Sequence, residues 1–354
     1  MKYFSWRKWM FGIFSVVAIY TTGTTQDFSY TQVFAHTSTL NPSLTGLHNG
    51  QYKASLLYRN QWIKAVDKPF TMAGGYVDLR SSLPIKAASK DAFGLGLGFV
   101  SEKQGIIEYK KNNFNINLAY HKALDHAGLH VLSGGAQLGF LQNSVGYENI
   151  TFYDQFDGTD FNLGTAEDLP ANTINMLDVG AGVHYQYQYQ QNLFSAGVSV
   201  FHANAPDISF GNRDESTIDE TENILFRKYI GHVYYQATIS NDLQLTPRII
   251  TKFQGPYHLT MAGSTARIRI KGINESAFHV GFFVHAGNTF DSSFKPVAGS
   301  MMVGYEFSSF NMGLSYDVGL INRYNFRNSP GNFELSITHF GFLTDHSAAG
   351  CPVF

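Results

Sequence analysis

The chain has 354 residues, of which 15% are aromatic and only 15% charged, and its formal net charge is -2. This charged fraction is lower than in typical soluble domains, yet the mean hydropathy of -0.13 is too low for a bundle of membrane-spanning helices. The near-neutral charge argues against nucleic-acid binding, and the single cysteine, Cys351, excludes an internal disulfide framework or a multi-thiolate metal site. A membrane β-barrel explains this composition, because only every second residue of each strand has to face lipid.

The first 25 residues have the pattern of a secretory signal peptide. Three basic residues, Lys2, Arg7 and Lys8, precede an apolar run over 9–20, and small or hydroxyl residues follow it. The apolar run is shorter than the roughly 20 residues that a membrane-spanning helix needs. We therefore predict that residues 1–25 are removed and that the mature chain starts near Gln26.

Residues 26–50 show neither the period of a strand nor that of a helix. Asn41-Pro42 and Gly46 are turn signals within this segment. We interpret it as an irregular N-terminal arm, and two readings stay open. It is either an ordered terminal segment or a plug or partner contact at the inner mouth of a barrel, since wide barrels are often plugged.

From residue 52 onward, segments with a period of two recur along the chain. Over 179–190, Val, Ala and Tyr at odd positions alternate with Gly, His and Gln at even positions, which is the pattern of a strand with one apolar and one polar face. Similar alternation predicts about fourteen strands, at 52–59, 69–80, 92–101, 111–121, 129–141, 174–187, 192–202, 224–240, 245–252, 257–270, 277–287, 297–307, 309–319 and 331–343. We therefore predict an all-β fold, a transmembrane antiparallel β-barrel of about 14 strands over residues 51–343, followed by a C-terminal tail over 344–354.

The lengths of the predicted connections indicate which membrane holds the barrel. The two longest, 142–173 and 203–223, both follow odd-numbered strands, whereas connections after even-numbered strands include tight turns such as 188–191. Bacterial outer-membrane barrels have short periplasmic turns and longer external loops. We expect an integral outer-membrane protein with both termini in the periplasm. A soluble sandwich or a propeller explains the pattern less well, because no fixed repeat is visible.

Several polar and aromatic residues are candidates for special roles. Acidic residues in the two long loops lack the spacing of a calcium loop, so solvated loops are favoured. For the ionisable residues predicted on the lumen face, ordinary packing is favoured over a docking role; they are Arg267, Arg269, His279, His285, Glu306, Asp317 and Glu334. Tyr58, Trp62 and Tyr76 lie near predicted strand ends, which suits aromatic girdles.

The chain lacks the local motifs of common enzymes. Neither an HExxH zinc motif nor a GxSxG nucleophile elbow is present in the sequence. We expect no metal, no cofactor and no catalytic residue, so the protein is predicted not to be an enzyme. An outer-membrane hydrolase with Ser and His on adjacent strands is the least favoured class.

A run of short motifs resembles one family of secretion proteins. Residues 26–46 follow the pattern QDPxFSQYxxNPxxLNPAxxG without a gap, and the identical positions are Gln26, Asp27, Gln32, Leu40, Asn41, Pro42 and Gly46. The pattern breaks at Phe28 and at His36-Thr37. Further segments with a similar look are YRNQW at 58–62, KPFT at 68–71, FGLGLG at 93–98, LTPRIITK at 245–252 and CPVF at 351–354. On these residues the chain resembles the PorP/SprF family, outer-membrane proteins of the type IX secretion system of Bacteroidetes.

The resemblance implies a role in secretion. It implies a barrel without catalytic residues that supports the export or surface anchoring of an adhesin with a C-terminal sorting domain. Its other partners are expected to be periplasmic type IX or peptidoglycan-binding components and outer-membrane lipid, with no nucleic acid. Our hypothesis is that Asn41, Pro42 and Gly46 shape the arm, that Arg59, Gln61 and Trp62 pin it to the first strand or contact the partner, and that the tail makes a periplasmic contact through Cys351, Pro352 and Phe354.

A second function stays open at this point. FadL-like transporters are also outer-membrane barrels of about this strand number with an N-terminal plug. The alternative is therefore a passive transporter of small hydrophobic molecules. Loss of a surface protein in a deletion strain supports secretion, and loss of uptake supports transport.

Overall fold

The architecture was obtained as a computed structural model. It describes residues 27, 29–48, 50–63, 66, 68–81, 90–105, 107–161, 164–167, 169–210, 223–272, 276–288, 293–320 and 331–342. The predicted signal peptide and C-terminal tail lie outside these residues. No helix in the described part of the chain is both long and apolar enough to cross a bilayer.

Fourteen antiparallel strands form one closed barrel, in which each strand pairs with its neighbours in sequence. The strands are β1 Tyr52–Gln61, β2 Phe70–Ser81, β3 Ala92–Gln104, β4 Tyr109–Ala123, β5 His130–Ser144, β6 Thr173–Tyr189, β7 Asn192–Phe201, β8 Lys228–Ser240, β9 Leu243–Gln254, β10 Tyr257–Arg269, β11 Ser276–Asn288, β12 Phe294–Phe307, β13 Phe310–Gly319 and β14 Gly331–Gly341. The barrel closes where β1 meets β14, with Tyr52 opposite Gly341 and Gln61 opposite Asn332. Closure satisfies the backbone of every strand edge, as the hydrocarbon core of a membrane requires. The predicted fold class and strand number are confirmed.

The alternation in sequence becomes an apolar outer face and a mostly polar inner face. In β1, the side chain of Leu56 is 64% exposed on the outside, whereas Lys53, Ser55 and Arg59 are buried on the inside. The same alternation holds in β3, where the outward Leu97 is 58% exposed. A row of large exposed aliphatic residues around a closed barrel is the surface that lipid covers.

Exposed aromatic side chains cluster near both ends of the barrel wall. At the end that carries the long loops they include Tyr58, Trp62, Tyr229, Phe253, Phe294 and Tyr316, and at the end that carries the short turns they include Phe93, Tyr189, Phe194, Tyr235, Phe278, Phe307 and Phe310. Two such bands are typical of the membrane interfaces of outer-membrane barrels. Tyr58 and Trp62 fit the predicted girdle. Tyr76 does not: it shares the inward parity of Asp78 and is only 1% exposed, so its girdle assignment was wrong.

The strand boundaries differ most from the prediction at β8. This strand begins at Lys228, although the alternation in sequence extends back to 224. The preceding residues fold into the long connection instead, because the Leu225 amide donates to the Pro206 carbonyl at 2.8 Å and the Ile208 amide donates to Asn223. Leu225 then packs with Leu141 and Met176 inside the barrel.

Candidate functional site

The N-terminal arm lies inside the barrel and runs from one end of the lumen to the other. Asp27 contacts His202 and Lys228, which stand where β7 ends and β8 begins, at the end with the long loops. Gly46 contacts Asp78 near the opposite end, where the short turns are. The arm is therefore a plug, and it is not confined to the inner mouth as one reading of the sequence expected. Together its contacts reach β1–β9, β13 and β14.

Two short turns give the arm its shape. A 3-10 turn spans Thr37–Thr39 and a second spans Pro42–Leu44. Asn41 caps the second turn, because its side-chain oxygen accepts from the Ser43 amide at 2.9 Å and the Ser43 hydroxyl at 2.7 Å. Pro at the first position of a turn loses no needed donor and has the required φ, and Asn is a preferred cap. The Asn-Pro dipeptide thus builds the turn that the sequence predicted.

Asn41 also fastens the middle of the arm to the barrel wall. Its side-chain nitrogen donates to the carbonyls of Val183 in β6 and Val198 in β7, at 3.1 and 3.2 Å. The side chain is completely buried, and its oxygen and nitrogen are both fully used. Glycine makes this approach possible: a Cβ on Gly182 would overlap the Asn41 oxygen, and one on Gly135 would lie 2.5 Å from the Ser43 nitrogen.

Near the short turns, buried polar groups hold the arm where it joins β1. The Lys53 ammonium donates to the Thr37 hydroxyl at 2.9 Å, and the Gly46 amide donates to the Asp78 carboxylate at 2.7 Å. Gly46 has a φ of +71°, and a Cβ there would lie 2.7 Å from Gly94 Cα, so only glycine fits without strain. His36 lies above this region with its ring 5.3 Å from that of Tyr76. Burial lowers the pKa of His36 to about 3, so this histidine is neutral.

Near the long loops, one charged cluster binds the arm at residues 29–32. We call Arg59, Asp317 and Glu334 the long-loop anchor. The Glu334 carboxylate accepts from the Thr31 and Gln32 amides, each at 2.9 Å, and Asp317 accepts from the Thr31 hydroxyl at 2.9 Å. Arg59 donates to Glu334 and to the Ser29 carbonyl. All three members are buried, so each charge depends on the others and on the arm.

The first described residue of the arm is held by ionic contacts. Asp27 accepts from His202 at 2.6 Å and from the Lys228 ammonium at 2.6 Å. Burial favours the neutral acid, but Lys228 and His202 outweigh it and hold the pKa of Asp27 well below its usual range. Burial likewise opposes the imidazolium form, but Asp27 and Asp178 outweigh it and raise the pKa of His202. The pair is therefore ionised on both sides at moderately acidic pH.

This pair predicts a pH window for the outer end of the arm. The contribution of His202 to the stability of the bound arm is complete below its free pKa of roughly 6.5. This contribution is lost as the pH rises through the raised pKa of His202. The contribution of Asp27 is complete above its free pKa of about 3.9 and is lost as the pH falls through its lowered pKa. We expect the amides of residues 29–32 to exchange most slowly between about pH 4 and 6.5 in deuterium-exchange measurements corrected for intrinsic rates. In His202→Gln, we expect protection of these amides not to fall further at alkaline pH. Equal protection at pH 6 and pH 9 in the wild type contradicts an ionic contact between Asp27 and His202.

Beside the arm, a cavity of about 60 Å³ opens in the half of the lumen near the long loops. Five amide side chains line it, those of Asn112, Asn113, Asn115, Gln137 and Asn143. An amide side chain both donates and accepts, as a peptide backbone does. Asp27, Lys111, His202 and Lys228 also line this cavity, which we call the long-loop cavity.

The structure brings together four of the residues that the sequence singled out and separates two others. Asn41, Pro42, Gly46 and Arg59 all lie in the lumen, in or against the arm. Gln61 ends β1, and Trp62 follows it at the long-loop rim, 38% exposed, with its ring 4.8 Å from that of Phe70. The predicted tail contacts Cys351, Pro352 and Phe354 lie outside the described residues. No group of three or more His, Cys, Asp or Glu residues within the described ranges could hold a metal ion.

The sequence did not identify the partners of the arm on distant strands. Glu334 and Asp317 were placed on the lumen face by parity, and the structure shows that they bind the arm as well as pack there. Lys53, Asp78 and His202 were missed. Their signal is an ionisable residue at an inward position of a strand or directly after one, which parity locates but does not connect to a partner.

The fold resembles solved channel proteins at very low sequence identity. A deletion mutant of the TodX monoaromatic hydrocarbon channel matches with a TM-score of 0.52 at 10% identity, covering 84% of this chain and 92% of that chain. The CymD monoaromatic hydrocarbon channel matches with a TM-score of 0.51 at 9% identity, covering 88% of this chain and 94% of that chain. At such identities the likeness shows the fold alone. No curated protein sequence matches the chain.

A family model identifies the protein family that the short motifs indicated. It matches residues 22–339, which includes the arm and most of the barrel. The matched region contains the Asn41-Pro42 turn, Gly46 and Arg59, the same residues that build and hold the plug. The chain belongs to the family of type IX secretion system membrane proteins PorP/SprF.

Proposed function

We propose that this plugged barrel supports the export or the surface anchoring of a secreted adhesin, as a non-enzymatic outer-membrane component of a type IX secretion system. The adhesin carries a C-terminal sorting domain in this proposal. Family membership supports the secretion role. The single structural observation that carries the proposal is the arm, which occupies the lumen from end to end with hydrogen bonds or close backbone contacts to eleven strands of the described barrel.

A plug favours a docking role over a passive pore. A pore has to present a continuous path for its solute, whereas here Leu40, Leu44 and Val33 of the arm pack with wall residues in the middle of the lumen. Binding of a secreted polypeptide requires only a receptive surface at the outer end. The long-loop cavity, with its amide side chains, offers such a surface for a peptide segment. The rim residues Gln61 and Trp62 are proposed as further contacts for the same partner.

The opposite end of the barrel is proposed to face the periplasm. Both β1 at Tyr52 and β14 at Gly341 reach the end with the short turns, and short turns are periplasmic in outer-membrane barrels. Periplasmic type IX or peptidoglycan-binding components are the proposed partners there. Cys351, Pro352 and Phe354 of the tail are proposed to contact them.

The alternative is passive transport of small hydrophobic molecules, and its support is the likeness in fold to two monoaromatic hydrocarbon channels. A deletion strain of the native bacterium separates the two functions. We expect surface biotinylation and mass spectrometry to show the loss of at least one large surface protein, with its return after complementation by the wild-type gene. Unchanged surface proteins together with reduced uptake of a monoaromatic hydrocarbon contradict the secretion role and favour the transporter.

Complementation with single variants then tests the residues. Arg59→Ala is expected to reduce the surface protein because it loosens the arm, and Trp62→Ala is expected to reduce it only if the rim contacts the partner. Heat-modifiable gel mobility of the outer-membrane fraction serves as the control for barrel assembly. Full surface display by an assembled Arg59→Ala barrel contradicts a role of the arm in secretion.

A further inference from the structure

A second cavity, of about 60 Å³, lies between the arm and the wall strands β9–β14. Its lining comes from the arm at residues 31–35 and from β9–β14, and it includes Arg248, Thr265 and His279. We call it the Arg248 cavity. It is separate from the long-loop cavity, which β3–β8 and the arm line.

Arg248 is an unpaired charge in the described part of the chain. The side chain is only 7% exposed, and its Nε atom is buried without a hydrogen-bond partner. Its contacts are with aromatic rings: the guanidinium carbon lies 4.3 Å from the ring centre of Phe34 in the arm and 5.9 Å from that of Phe283. Cation–π contacts offset part of the cost of burying a guanidinium, but buried charges are normally also paired with an anion.

The carboxylate that binds the lining residue His279 is already paired with another arginine. Glu306 accepts two hydrogen bonds from Arg267, at 2.8 and 2.6 Å, and a third from His279 at 3.0 Å. The residues that line the Arg248 cavity include no Asp or Glu. Two further lining residues, Gln32 and Ser336, bond to each other at 2.6 Å. The positive charge of Arg248 is therefore left without a counter-charge among the described residues.

A second donor stands beside the guanidinium. Thr265 is 4% exposed, and its hydroxyl oxygen is buried without a partner. In the register of β9 and β10, Arg248 is opposite Gly263, two residues from Thr265. The two side chains are thus diagonal neighbours on the same inward face, close enough to share one ligand. Both line the Arg248 cavity.

We propose that the Arg248 cavity binds a single carboxylate group, with Arg248 as its ionic partner and Thr265 as an additional donor. Rings packed on a guanidinium leave its edge for in-plane ligands, and a carboxylate matches that edge with two parallel hydrogen bonds. One unpaired cation calls for one negative charge, which favours a carboxylate over a phosphate. A volume of about 60 Å³ admits a group of this size. The carboxylate comes either from a small organic acid or from the C-terminus of a polypeptide.

The test uses the full chain, purified in detergent, and follows thermal unfolding by tryptophan fluorescence. We expect sodium acetate to raise the midpoint by about 2 °C or more over sodium chloride at equal ionic strength, because a ligand of the folded state stabilises it. Thr265→Val, which keeps the shape of the side chain, and Arg248→Gln are expected to lose this rise. Arg227→Gln changes an arginine outside the cavity and is expected to keep it.

Short peptides distinguish the two sources of the carboxylate. N-acetyl-trialanine with a free C-terminus is compared with its C-terminal amide in the same assay. A rise with the free acid peptide that exceeds the rise with acetate identifies a polypeptide terminus, and a rise with acetate alone identifies a small acid. Equal midpoints of the wild type in acetate, chloride and both peptides overturn the proposal, as does an acetate effect of full size in Thr265→Val and Arg248→Gln. If Arg248→Gln fails to assemble, the wild type and Thr265→Val decide the matter.

Discussion

Arg59→Ala is expected to free the outer half of the arm while the barrel stays closed. The change leaves Glu334 and Asp317 as two buried carboxylates without their guanidinium, and it also removes the donor to the Ser29 carbonyl. Removing one partner of a buried ion pair costs about 3–5 kcal/mol. We expect deuterium exchange at residues 29–33 to become faster by about 100-fold or more, because the loss lowers the free energy of local opening of the arm by a similar amount.

Trp62→Ala is the matched control for this experiment. Trp62 stands three residues along the chain, at the rim, where it packs on Phe70. Its removal should leave exchange in the arm unchanged.

The double variant Arg59→Ala with Glu334→Ala should lose less stability of the bound arm than the sum of the two single changes, since it leaves fewer unpaired charges. Slow exchange at residues 29–33 in an assembled Arg59→Ala barrel is incompatible with the long-loop anchor.

Gly135→Ala is expected to displace the middle of the arm. The new methyl group would stand 2.5 Å from the Ser43 nitrogen and 2.6 Å from the Pro42 carbonyl carbon. Both are backbone atoms of a capped turn, so neither can move as a flexible side chain would. Overpacking of this kind typically costs about 1–3 kcal/mol, and we expect the upper end. The measurement is deuterium exchange at the Leu44 and Thr45 amides, which bond to Asn41 and Pro42.

Gly134→Ala supplies the control at the adjacent residue of the same strand. Gly134 points to the outside, and nothing lies within 4 Å of a Cβ there. The two variants share the strand and the change in β-propensity, so a difference between them reports the arm alone. Equal exchange at Leu44 and Thr45 in both variants would mean that the turn does not touch β5.

The barrel was predictable because its constraint is local. A strand between lipid and lumen must alternate in polarity every second residue, and this pattern is visible in a window of ten residues. The inward positions of Glu334 and Asp317 followed from the same parity. Tyr76 could have been placed correctly by that rule, since it shares its face with Asp78 and alternates with the outward Val77. Its aromatic type is typical of an interface girdle, but the inward parity of its position in the strand decides where it lies.

The path of the arm was not predictable, because its structure depends on distant partners. Thr31 and Glu334 are 303 residues apart, and the arm has no period that would reveal which side faces the wall. Strand parity separates Arg59 from Trp62, because Arg59 shares the inward positions of Lys53 and Ser55 whereas position 62 falls on the opposite face. Trp62 also follows the last residue of β1, with a φ of +64°, and lies at the rim.

The position of the long-loop anchor sets an order for the assembly of this protein. The arm is the first part of the described chain, but Asp317 and Glu334 belong to the last two strands. Thr31 and Gln32 therefore have no carboxylate partners until β13 and β14 have joined the wall. An insertion intermediate that lacks its final hairpin cannot form these hydrogen bonds, so their formation marks the completed cylinder.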